Sequence, residues 1–442
     1  FETLFRSPHP ATAEALGHRR EEISVGSTII EKILARASGQ ELVRPGDIAV
    51  CRPDMVVQLD LLLTIEGFWH RPKKLFDPDR VALVFDHGVP APSIKDASGM
   101  VEGRAFAKQF GLKNFFDVGQ HGICHVVIAE NGLARPGELL VCADSHTCAA
   151  GAFNCAARGA GPVDTLQAMT KGVIWYPVSE TVRYEFEGEL PPHVSGKDVF
   201  FHIAQEWGGH SNLSMEFGGP GLANLPMTDR RTIATMCAEV SAEFAIFDYD
   251  AETEAYLSER MDRPPEPVAA DPDADYHDVR RIDLGTLEPY VMYPDAVPNN
   301  GARISEFGEN IAIDQAFVGS CANGKIEDLR AAAEIVKGRK VASGVRFIVT
   351  PGSQQVFLQA AKEGLIEILS EAGAVVTNST CGACFGYHMG VLAPGEVCIT
   401  ASTRNFKGRM GSPDAKVYMG SPATVAASAV TGVITDPRRI IG

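Results

Sequence analysis

The chain has 442 residues, of which 45% are hydrophobic and 22% charged, and this composition predicts a globular protein with two or three domains. Lys and Arg number 40 against 56 Asp and Glu, and the net charge of -16 argues against nucleic acid or an anionic membrane as a general partner. No window of eighteen apolar residues occurs and the N-terminus lacks a hydrophobic signal core, so we expect a cytoplasmic protein.

The first compact element is predicted to begin after a polar N-terminal stretch. Residues 1–26 are rich in Arg, His, Glu and Pro and lack clear periodicity, which predicts a flexible extension. An amphipathic helix is expected from Thr28, with Ser27 as its N-cap. Strands and helices then alternate, and we place a first α/β domain at 27–195.

The apolar run 81–85 predicts a buried strand that delivers Asp86 and His87 to the following loop. Another histidine, His125, leads into a separate apolar run. A single histidine beside an aspartate is more often a hydrogen-bonded surface or core pair than a catalytic one. Taken alone, this stretch therefore favours a structural role.

The same arrangement recurs at the run 139–143, which is followed by Asp144, Ser145 and His146. Two aspartate–histidine stretches at the ends of two strands favour function, because open α/β sheets place their chemistry at the carboxyl ends of strands. A carboxylate also fixes the tautomer of the imidazole that it contacts, as acid–base catalysis requires. The repeated pattern predicts a site at that edge of the sheet.

A glycine-rich run at 158–164 lacks the full dinucleotide-binding fingerprint, because Ala157 stands where the first glycine would be needed. The run therefore argues against a nucleotide site. Its glycines instead favour a close contact with a neighbouring helix or loop.

A second α/β domain is predicted at 196–310. Within it, a helix is expected over 230–242, and this helix carries Glu239. Considered by itself, Glu239 is interpreted as an ordinary exposed acid on a helix surface.

The third predicted domain, 311–442, contains two stretches with cysteines that follow strand-like runs. Cys321 comes after the apolar run 315–319 and before a helix predicted over 326–337. Its thiol should therefore lie in a strand-to-helix turn beside a helix N-terminus, where anions are stabilised.

Cys381 and Cys384 follow a second strand-like run at 374–378, and an amphipathic helix is predicted between the runs at 357–369. This order is typical of a parallel sheet. A Cys-x-x-Cys pair alone fits a redox pair or half of a zinc site. With Cys321, however, three thiolates can hold three irons of a cubane and leave a fourth iron open as a Lewis acid.

Two arginines lie in a glycine-containing loop after the strand-like run 397–400. Arg404 and Arg409 fit a solvated loop, but beside a cluster their guanidinium groups would match the carboxylates of a dicarboxylate. The other cysteines stand among apolar or small residues and are predicted to be core thiols. These are Cys51, Cys124, Cys142, Cys148, Cys155, Cys237 and Cys398.

Three long segments carry a resemblance that extends from about Ser27 to the end of the chain. They are GSCANGKIEDLRAAAEIVKGRKVA, CGACFGYHMG and STRNFKGRMGSP. Through them the chain resembles the aconitase superfamily, in particular the large subunits of the 3-isopropylmalate dehydratase and homoaconitase type. The resemblance implies three α/β/α domains with mostly parallel sheets around a central iron-sulfur cluster. It also implies a hydro-lyase that dehydrates and rehydrates a 2-hydroxy di- or tricarboxylate.

The resemblance assigns the cluster and the acid of this reaction. A [4Fe-4S] cluster would be held by Cys321, Cys381 and Cys384, and its open iron would chelate a carboxylate and the hydroxyl of the substrate. Asp86 and His87 would protonate the departing hydroxyl.

The remaining site residues follow from the same family positions. His125 would pair with Asp144, and His146 would pair with Glu239. The side chains implied to contact the substrate are Ser145, Thr403, Arg404 and Arg409.

Several polar positions near the cluster depart from the family pattern. Ile65 and Glu66 stand where relatives carry a His-Asp or Gln-Asp pair, and Thr235 and Thr403 stand where they carry asparagine. With an aliphatic group at Ile65, we expect a substrate less polar than citrate at that contact, most like isopropylmalate. Homoaconitase and a methyl- or dimethylmalate dehydratase are the alternatives within the family.

In single-chain relatives a further, swivelling domain supplies the serine that takes the substrate proton. Its Gly-Ser-Ser-Arg-Glu-type loop is missing from this sequence, so we expect a separate small subunit that closes over the cluster. Two other classes stay open. One is a zinc-stabilised module or zinc-dependent hydrolase that uses the three cysteines with His388, and the other is a catalytically silent binding protein.

Overall fold

The computed structural model describes residues 26–65, 67, 69–308 and 310–441, so residues 1–25 of the expected extension lie outside it. The described part of the chain contains eighteen strands, β1 (Ile48–Cys51), β2 (Met55–Leu59), β3 (Val81–Val84), β4 (Asn114–Phe116), β5 (Leu139–Cys142), β6 (Ala156–Gly159), β7 (Ile174–Pro177), β8 (Glu180–Glu187), β9 (Leu213–Gly218), β10 (Ala245–Phe247), β11 (Asp278–Asp283), β12 (Tyr290–Met292), β13 (Gly301–Arg303), β14 (Gln315–Val318), β15 (Arg346–Val349), β16 (Val375–Val376), β17 (Val397–Thr400) and β18 (Lys416–Met419).

The α-helices of the described residues follow in the same order. They are α1 (Ile29–Ser38), α2 (Asp60–Thr64), α3 (Ile94–Phe110), α4 (Cys124–Glu130), α5 (Pro162–Lys171), α6 (Gly196–Trp207), α7 (Met227–Met236), α8 (Ala251–Ser258), α9 (Ser320–Asn323), α10 (Ile326–Val336), α11 (Gln354–Lys362), α12 (Leu365–Ala372), α13 (Pro422–Thr431) and α14 (Arg438–Ile441). None of them has both the length and the apolar character needed to cross a bilayer.

The strands form three larger sheets and one small ribbon. The first sheet has five parallel strands in the order β4-β3-β2-β5-β6, and the second has four parallel strands in the order β10-β9-β8-β11. The third sheet, β13-β12-β18-β17-β14-β15-β16, is parallel from β18 to β16 and antiparallel at β12 and β13. The ribbon pairs β1 with β7 antiparallel. The predicted α/β class with mostly parallel sheets is confirmed.

Sheet membership does not follow the predicted domain boundaries strand by strand. Strand β8 precedes residue 196 and belongs to the second sheet, while β12 and β13 precede residue 311 and belong to the third. The boundaries after 195 and 310 stay a prediction.

The first sheet is covered on both faces, which explains why its inner strands are uniformly apolar. Successive side chains of β2 face opposite sides, so Val57 packs in one apolar cluster with Phe217 of the second sheet. Val56 packs in another cluster with Ile33 of α1. The seven cysteines predicted to be core thiols are all buried.

Helix α1 begins one residue later than the sequence pattern predicts. Its N-cap is Thr28, whose Oγ1 accepts from the Glu31 N–H at 3.2 Å, while the Glu31 carboxylate accepts from the Thr28 N–H at 2.8 Å. The prediction of Ser27 as N-cap is therefore wrong, because this reciprocal capping box requires a glutamate three residues after the cap.

Two other predicted helices have different limits in the structure. The helix expected over 357–369 is interrupted, because Gly364 adopts a left-handed φ of +74° and separates α11 from α12. The helix expected over 230–242 is α7, which ends at Met236 and continues as a 3₁₀ turn over Cys237–Val240. This second change matters for the site, because the turn carries Glu239.

Candidate active site

The loop after β3 brings an acid, a histidine and a cysteine together. The side chains of Asp86, His87 and Cys381 offer ligand atoms that lie within 4.8 Å of one another. The Cys381 thiol is 3.2 Å from Asp86 Oδ1. The first aspartate–histidine stretch therefore meets the second cysteine stretch across almost 300 residues of chain.

Two residues that the sequence pattern did not single out shape this loop. Asp60 is buried at the start of α2, and its carboxylate accepts from the N–H groups of His87 at 3.0 Å and Gly88 at 2.9 Å. The Thr380 hydroxyl contacts the carbonyl oxygens of Asp86 at 2.7 Å and His87 at 3.0 Å. A signal for Asp60 was present, because it directly follows the apolar run of β2 as Asp86 follows that of β3.

His87 is buried, and its ring packs edge-on against Phe385 with 5.0 Å between centroids. Its Nδ1 lies 3.5 Å from Asp86 Oδ1 and makes no hydrogen bond within the described residues. Burial by itself would lower the pKa of His87, but the charges of Asp86, Asp60 and Asp144 outweigh it and raise that pKa. The protonated imidazolium is favoured, which suits a proton donor.

A continuous chain of polar contacts runs from the first sheet to the third. His125 Nε2 lies 2.8 Å from Asp144 Oδ1, which also accepts from the His146 N–H at 2.8 Å. His146 Nε2 lies 2.8 Å from Glu239 Oε1, and Arg404 Nε donates to the same oxygen at 2.7 Å. Both pairings that the resemblance implied are thus present as contacts, whereas their catalytic roles stay predictions.

This chain of contacts perturbs the charges along it. Burial would raise the pKa of Asp144, but hydrogen bonds from His125 and His146 lower it well below its usual range. Burial would lower the pKa of His146, but the Cys321 thiolate, Asp144 and Glu239 raise it well above its usual range. The network therefore favours an anionic Asp144 beside a cationic His146.

Glu239 owes its place to the end of helix α7. In the 3₁₀ turn Cys237–Val240 its side chain is only 9% exposed, between His146 and Arg404. The interpretation of Glu239 as an exposed helix acid is therefore wrong. The change from α-helix to 3₁₀ turn alters the direction in which this side chain leaves the backbone.

The three candidate ligand cysteines all lie in short turns after parallel strands. Cys321 is in the short helix α9, which follows β14. Cys381 is the N-cap of the 3₁₀ turn Gly382–Phe385 after β16, and Cys384 lies within that turn. Burial raises the pKa of Cys381, and the nearby Asp86 charge adds to that effect. The pKa of Cys384 is lowered, because the Arg409 charge and other contacts outweigh burial.

The donor set fits a multi-atom cluster better than a single ion. One tetrahedral zinc, with Zn–S bonds of about 2.3 Å, would bring its thiolates to about 3.8 Å from one another. Among the described residues, Cys321, Cys381 and Cys384 do not form a group with all sulfurs within 4.8 Å. His388 Nε2 is turned to the carbonyl of His87, at 2.9 Å. This geometry argues against the zinc alternative.

Buried polar atoms without partners among the described residues also surround this region. They are His87 Nδ1, Ser379 Oγ, Ser402 Oγ and Arg409 Nε. Such atoms are rare in folded proteins unless a ligand or water satisfies them. Their concentration beside the three cysteines is consistent with a bound polar group there.

The remaining predicted residues differ in how close they lie to this centre. Thr403 is buried with Oγ1 4.0 Å from Cys384 Sγ, and Arg409 Nη2 is 3.8 Å from the same sulfur. Ser145 is exposed next to Asp144.

Among the positions that depart from the family pattern, Thr235 and Ile65 have different surroundings. The Thr235 hydroxyl donates to the Arg231 carbonyl of its own helix at 2.6 Å. Ile65 is half-buried at the end of α2, the short helix that starts at Asp60, and Glu66 lies outside the described residues.

The glycine-rich run contributes to the site indirectly. A Cβ on Gly159 would lie 2.4 Å from the Asp144 carbonyl oxygen, so only glycine permits this approach. The prediction of a close contact with a neighbouring loop is confirmed at Gly159. The contact lies directly beneath Asp144, Ser145 and His146.

Comparison with known proteins gives a consistent result. The model of the aconitase family (aconitate hydratase) matches residues 93–432. The chain is 56% identical over 417 residues to the 3-isopropylmalate dehydratase large subunit of Mycolicibacterium smegmatis, covering 94% of this chain and 98% of that one. It is 44% identical to large subunit 1 of the same enzyme from Pyrococcus abyssi, covering 94% and 100%.

One further relative and one solved structure extend these likenesses. The 3-isopropylmalate dehydratase large subunit of Aquifex aeolicus is 44% identical, covering 94% of this chain and 98% of that one. The crystal structure of Thermococcus kodakaraensis aconitase X in its holo-form is 12% identical, with a TM-score of 0.46 and coverage of 87% and 91%.

Proposed function

The chain belongs to the aconitase family and is a hydro-lyase, and we propose that it is the cluster-bearing large subunit of a 3-isopropylmalate dehydratase. The identity of 56% over nearly the full length of a relative with that name supports the substrate class. The observation that carries the chemistry is the position of Asp86 and His87 against Cys381. This position supports a role for His87 as a proton donor beside a cluster ligand.

The cofactor that we propose is a [4Fe-4S] cluster on Cys321, Cys381 and Cys384. When bound, it supplies a Lewis acid that polarises the hydroxyl and one carboxylate of the substrate. The features of this chain that support the assignment are the buried thiols of Cys321 and Cys384, the half-buried thiol of Cys381 and the polar atoms around them that lack partners among the described residues.

His87 protonates the substrate hydroxyl while its C–O bond breaks, because hydroxide is a poor leaving group and water is a good one. Asp60, through the loop backbone, and Asp86, through its charge, hold the imidazolium in place. Arg409 binds a substrate carboxylate through its guanidinium group, whose Nε has no hydrogen-bond partner among the described residues. Arg404, whose Nε is bound to Glu239, contributes a second guanidinium group to carboxylate binding.

The base that removes the carbon-bound proton is assigned to a separate small subunit. The names of the relatives describe large subunits, and such a name implies a smaller partner. We propose that this partner carries the swivelling domain and closes over His87, Cys321 and Arg404. Elimination then combines an acid on this chain with a base on the other.

The test is turnover by the chain reconstituted anaerobically with iron and sulfide and mixed with the small subunit of the Mycolicibacterium relative. We expect hydration and dehydration of isopropylmalate-type acids, with little activity on citrate, and iron and sulfide rather than zinc in the protein. A clear preference for citrate, homocitrate or methylmalates would contradict the substrate. Full activity of the large subunit alone would contradict the division of labour.

A further inference from the structure

A buried lysine lies behind the candidate cluster site, and none of the described residues gives it a carboxylate partner. Lys197, the second residue of α6, has no exposed surface. Its Nζ donates to the carbonyl oxygens of Ser402 at 2.6 Å and Ala401 at 3.0 Å, and it lies 3.3 Å from Met236 Sδ. The three positions around the ammonium nitrogen are filled by neutral groups.

Two other buried cations among the described residues, Arg230 and Lys325, are paired with acids. Arg230 is fully buried and holds the Asp250 carboxylate with two contacts of 2.7 Å. Lys325 is buried near Lys197 and lies 3.0 Å from Asp328 Oδ2. A buried charge without a partner is strongly unfavourable, so the exception at Lys197 requires an explanation.

The negative groups that act on Lys197 are two candidate cluster ligands, Cys321 and Cys384, and to a smaller extent the Asp328 carboxylate. Burial lowers the pKa of Lys197 to about 7, and the thiolates of Cys321 and Cys384 oppose this shift. Lys325 works in the same direction as burial. Without further negative charge at the cysteines, the ammonium form is therefore only weakly favoured.

The backbone carbonyls that Lys197 binds, those of Ala401 and Ser402, directly precede the loop residues Thr403 and Arg404. Ser402 precedes Thr403, whose hydroxyl is 4.0 Å from the Cys384 sulfur, and Arg404, which contacts Glu239. The lysine comes from α6, next to the second sheet, whereas the loop follows β17 of the third sheet. The contact thus joins two parts of the fold at the site.

We propose that Lys197 is a positioning residue whose buried positive charge balances the thiolates and the cluster they hold, while its hydrogen bonds orient the loop that presents Thr403 and Arg404. This inference rests on the proposed cluster but not on the identity of the hydroxy acid. The buried charge of Lys197 lowers the stability of the protein when the cysteines hold no cluster and raises it when the cluster is bound. The reason is that loading fixes the three cysteines as thiolates around an anionic cluster and so strengthens the counter-charge of the cation.

Two variants separate the charge from the hydrogen bonds. Lys197→Met keeps the length of the side chain and removes both, whereas Lys197→Gln keeps an N–H donor and removes the charge. Lys407→Met is the matched control, because Lys407 lies in the same loop with a side chain that is 70% exposed. Each protein is purified without iron, checked by thermal unfolding, and then reconstituted anaerobically.

The first readout is the rate at which an iron chelator removes iron in the absence of substrate. We expect both Lys197 variants to lose iron on the order of tenfold faster than the wild type, with the control unchanged. The iron-free Lys197→Met protein should unfold at the same temperature as the wild type or higher. The second readout is the midpoint potential of the cluster, which should become more negative, because a cation stabilises the reduced, more anionic state.

Several results would overturn the proposal. Wild-type iron retention in Lys197→Gln would show that the charge is not needed, and an unchanged midpoint potential in both variants would show the same. A loss of stability of equal size in the iron-free and loaded forms of Lys197→Met would indicate an ordinary structural lysine. Because no substrate is present, a wrong assignment of the hydroxy acid leaves these measurements unaffected and appears only in the turnover assay.

Discussion

At the end of β3, His87 Nδ1 makes no hydrogen bond to any residue that the structure describes, whereas at the end of β5, His146 is held by two carboxylates. The His146 N–H donates to Asp144, and its Nε2 lies 2.8 Å from Glu239, which also binds Arg404. A histidine that moves a proton needs a free nitrogen, while one locked between two carboxylates is suited to organise its neighbours. From this comparison we propose that His87 donates the proton and that His146 chiefly orients its neighbours.

The largest effect is expected from removing a candidate cluster ligand, which lies between the His87 and His146 regions. Replacing Cys321, Cys381 or Cys384 by serine should abolish turnover and lower the iron and sulfide content after anaerobic reconstitution, because a ligand to the cluster is lost. The control is Cys398→Ser, since Cys398 is a buried thiol of β17. Unchanged iron and sulfide in any of the three variants would show that its cysteine is not a ligand.

Replacing the two histidines compares the two regions directly. His87→Asn should lower kcat by roughly two to four orders of magnitude with the cluster intact, because the departing hydroxyl loses its acid. His146→Asn should lower kcat less, by roughly two orders of magnitude. Steady-state kinetics together with iron analysis measure both. Near-wild-type turnover in His87→Asn would rule out its role as the acid.

The contact between Glu239 and His146 is tested by Glu239→Gln, which keeps the shape of the side chain and removes its charge. We expect a loss in kcat/KM of about one to two orders of magnitude, because Arg404 and His146 lose their shared anion. Glu243→Gln is a control one turn further along the chain, where the acid contacts Arg158 instead. Equal kinetics for both variants would mean that the network does not organise the site.

Arg409→Lys should act on binding more than on chemistry. A lysine keeps the charge but lacks the planar fork that matches a carboxylate, so KM should rise by about tenfold or more with a smaller change in kcat. Arg439→Lys, at the distant C-terminal helix, is the matched substitution. A fall confined to kcat would place Arg409 on the side of proton transfer instead.

The smallest effect is expected at Ile65, which lies at the end of the helix that Asp60 begins. Ile65→Gln should shift the preference from isopropylmalate toward more polar hydroxy acids by about one order of magnitude, with the reaction type unchanged. Competition assays with paired substrates measure this ratio. An unaltered ratio would remove Ile65 from the list of substrate contacts.

Local sequence pattern was sufficient for the strands, the sheet edges and the cysteine turns. Apolar runs such as 81–85 and 315–319 are short, buried and followed at once by polar residues, and each strand observed there ends within a residue or two of the prediction. Parallel strands deliver such residues to one edge regardless of the details of packing. The long family motifs then assigned the cysteines and arginines together.

Tertiary structure decided the features that depend on elements far apart in the chain. The family resemblance implied that Glu239 pairs with His146, 93 positions away, but only the structure shows that the same carboxylate oxygen also binds Arg404, 165 positions away. Lys197 reaches the loop at Ser402 across 205 positions. No periodicity within a single helix or strand encodes such contacts. Whether a charged side chain ends in solvent or in a buried network is set by which elements pack over it, because burial and pairing together determine the cost of its charge.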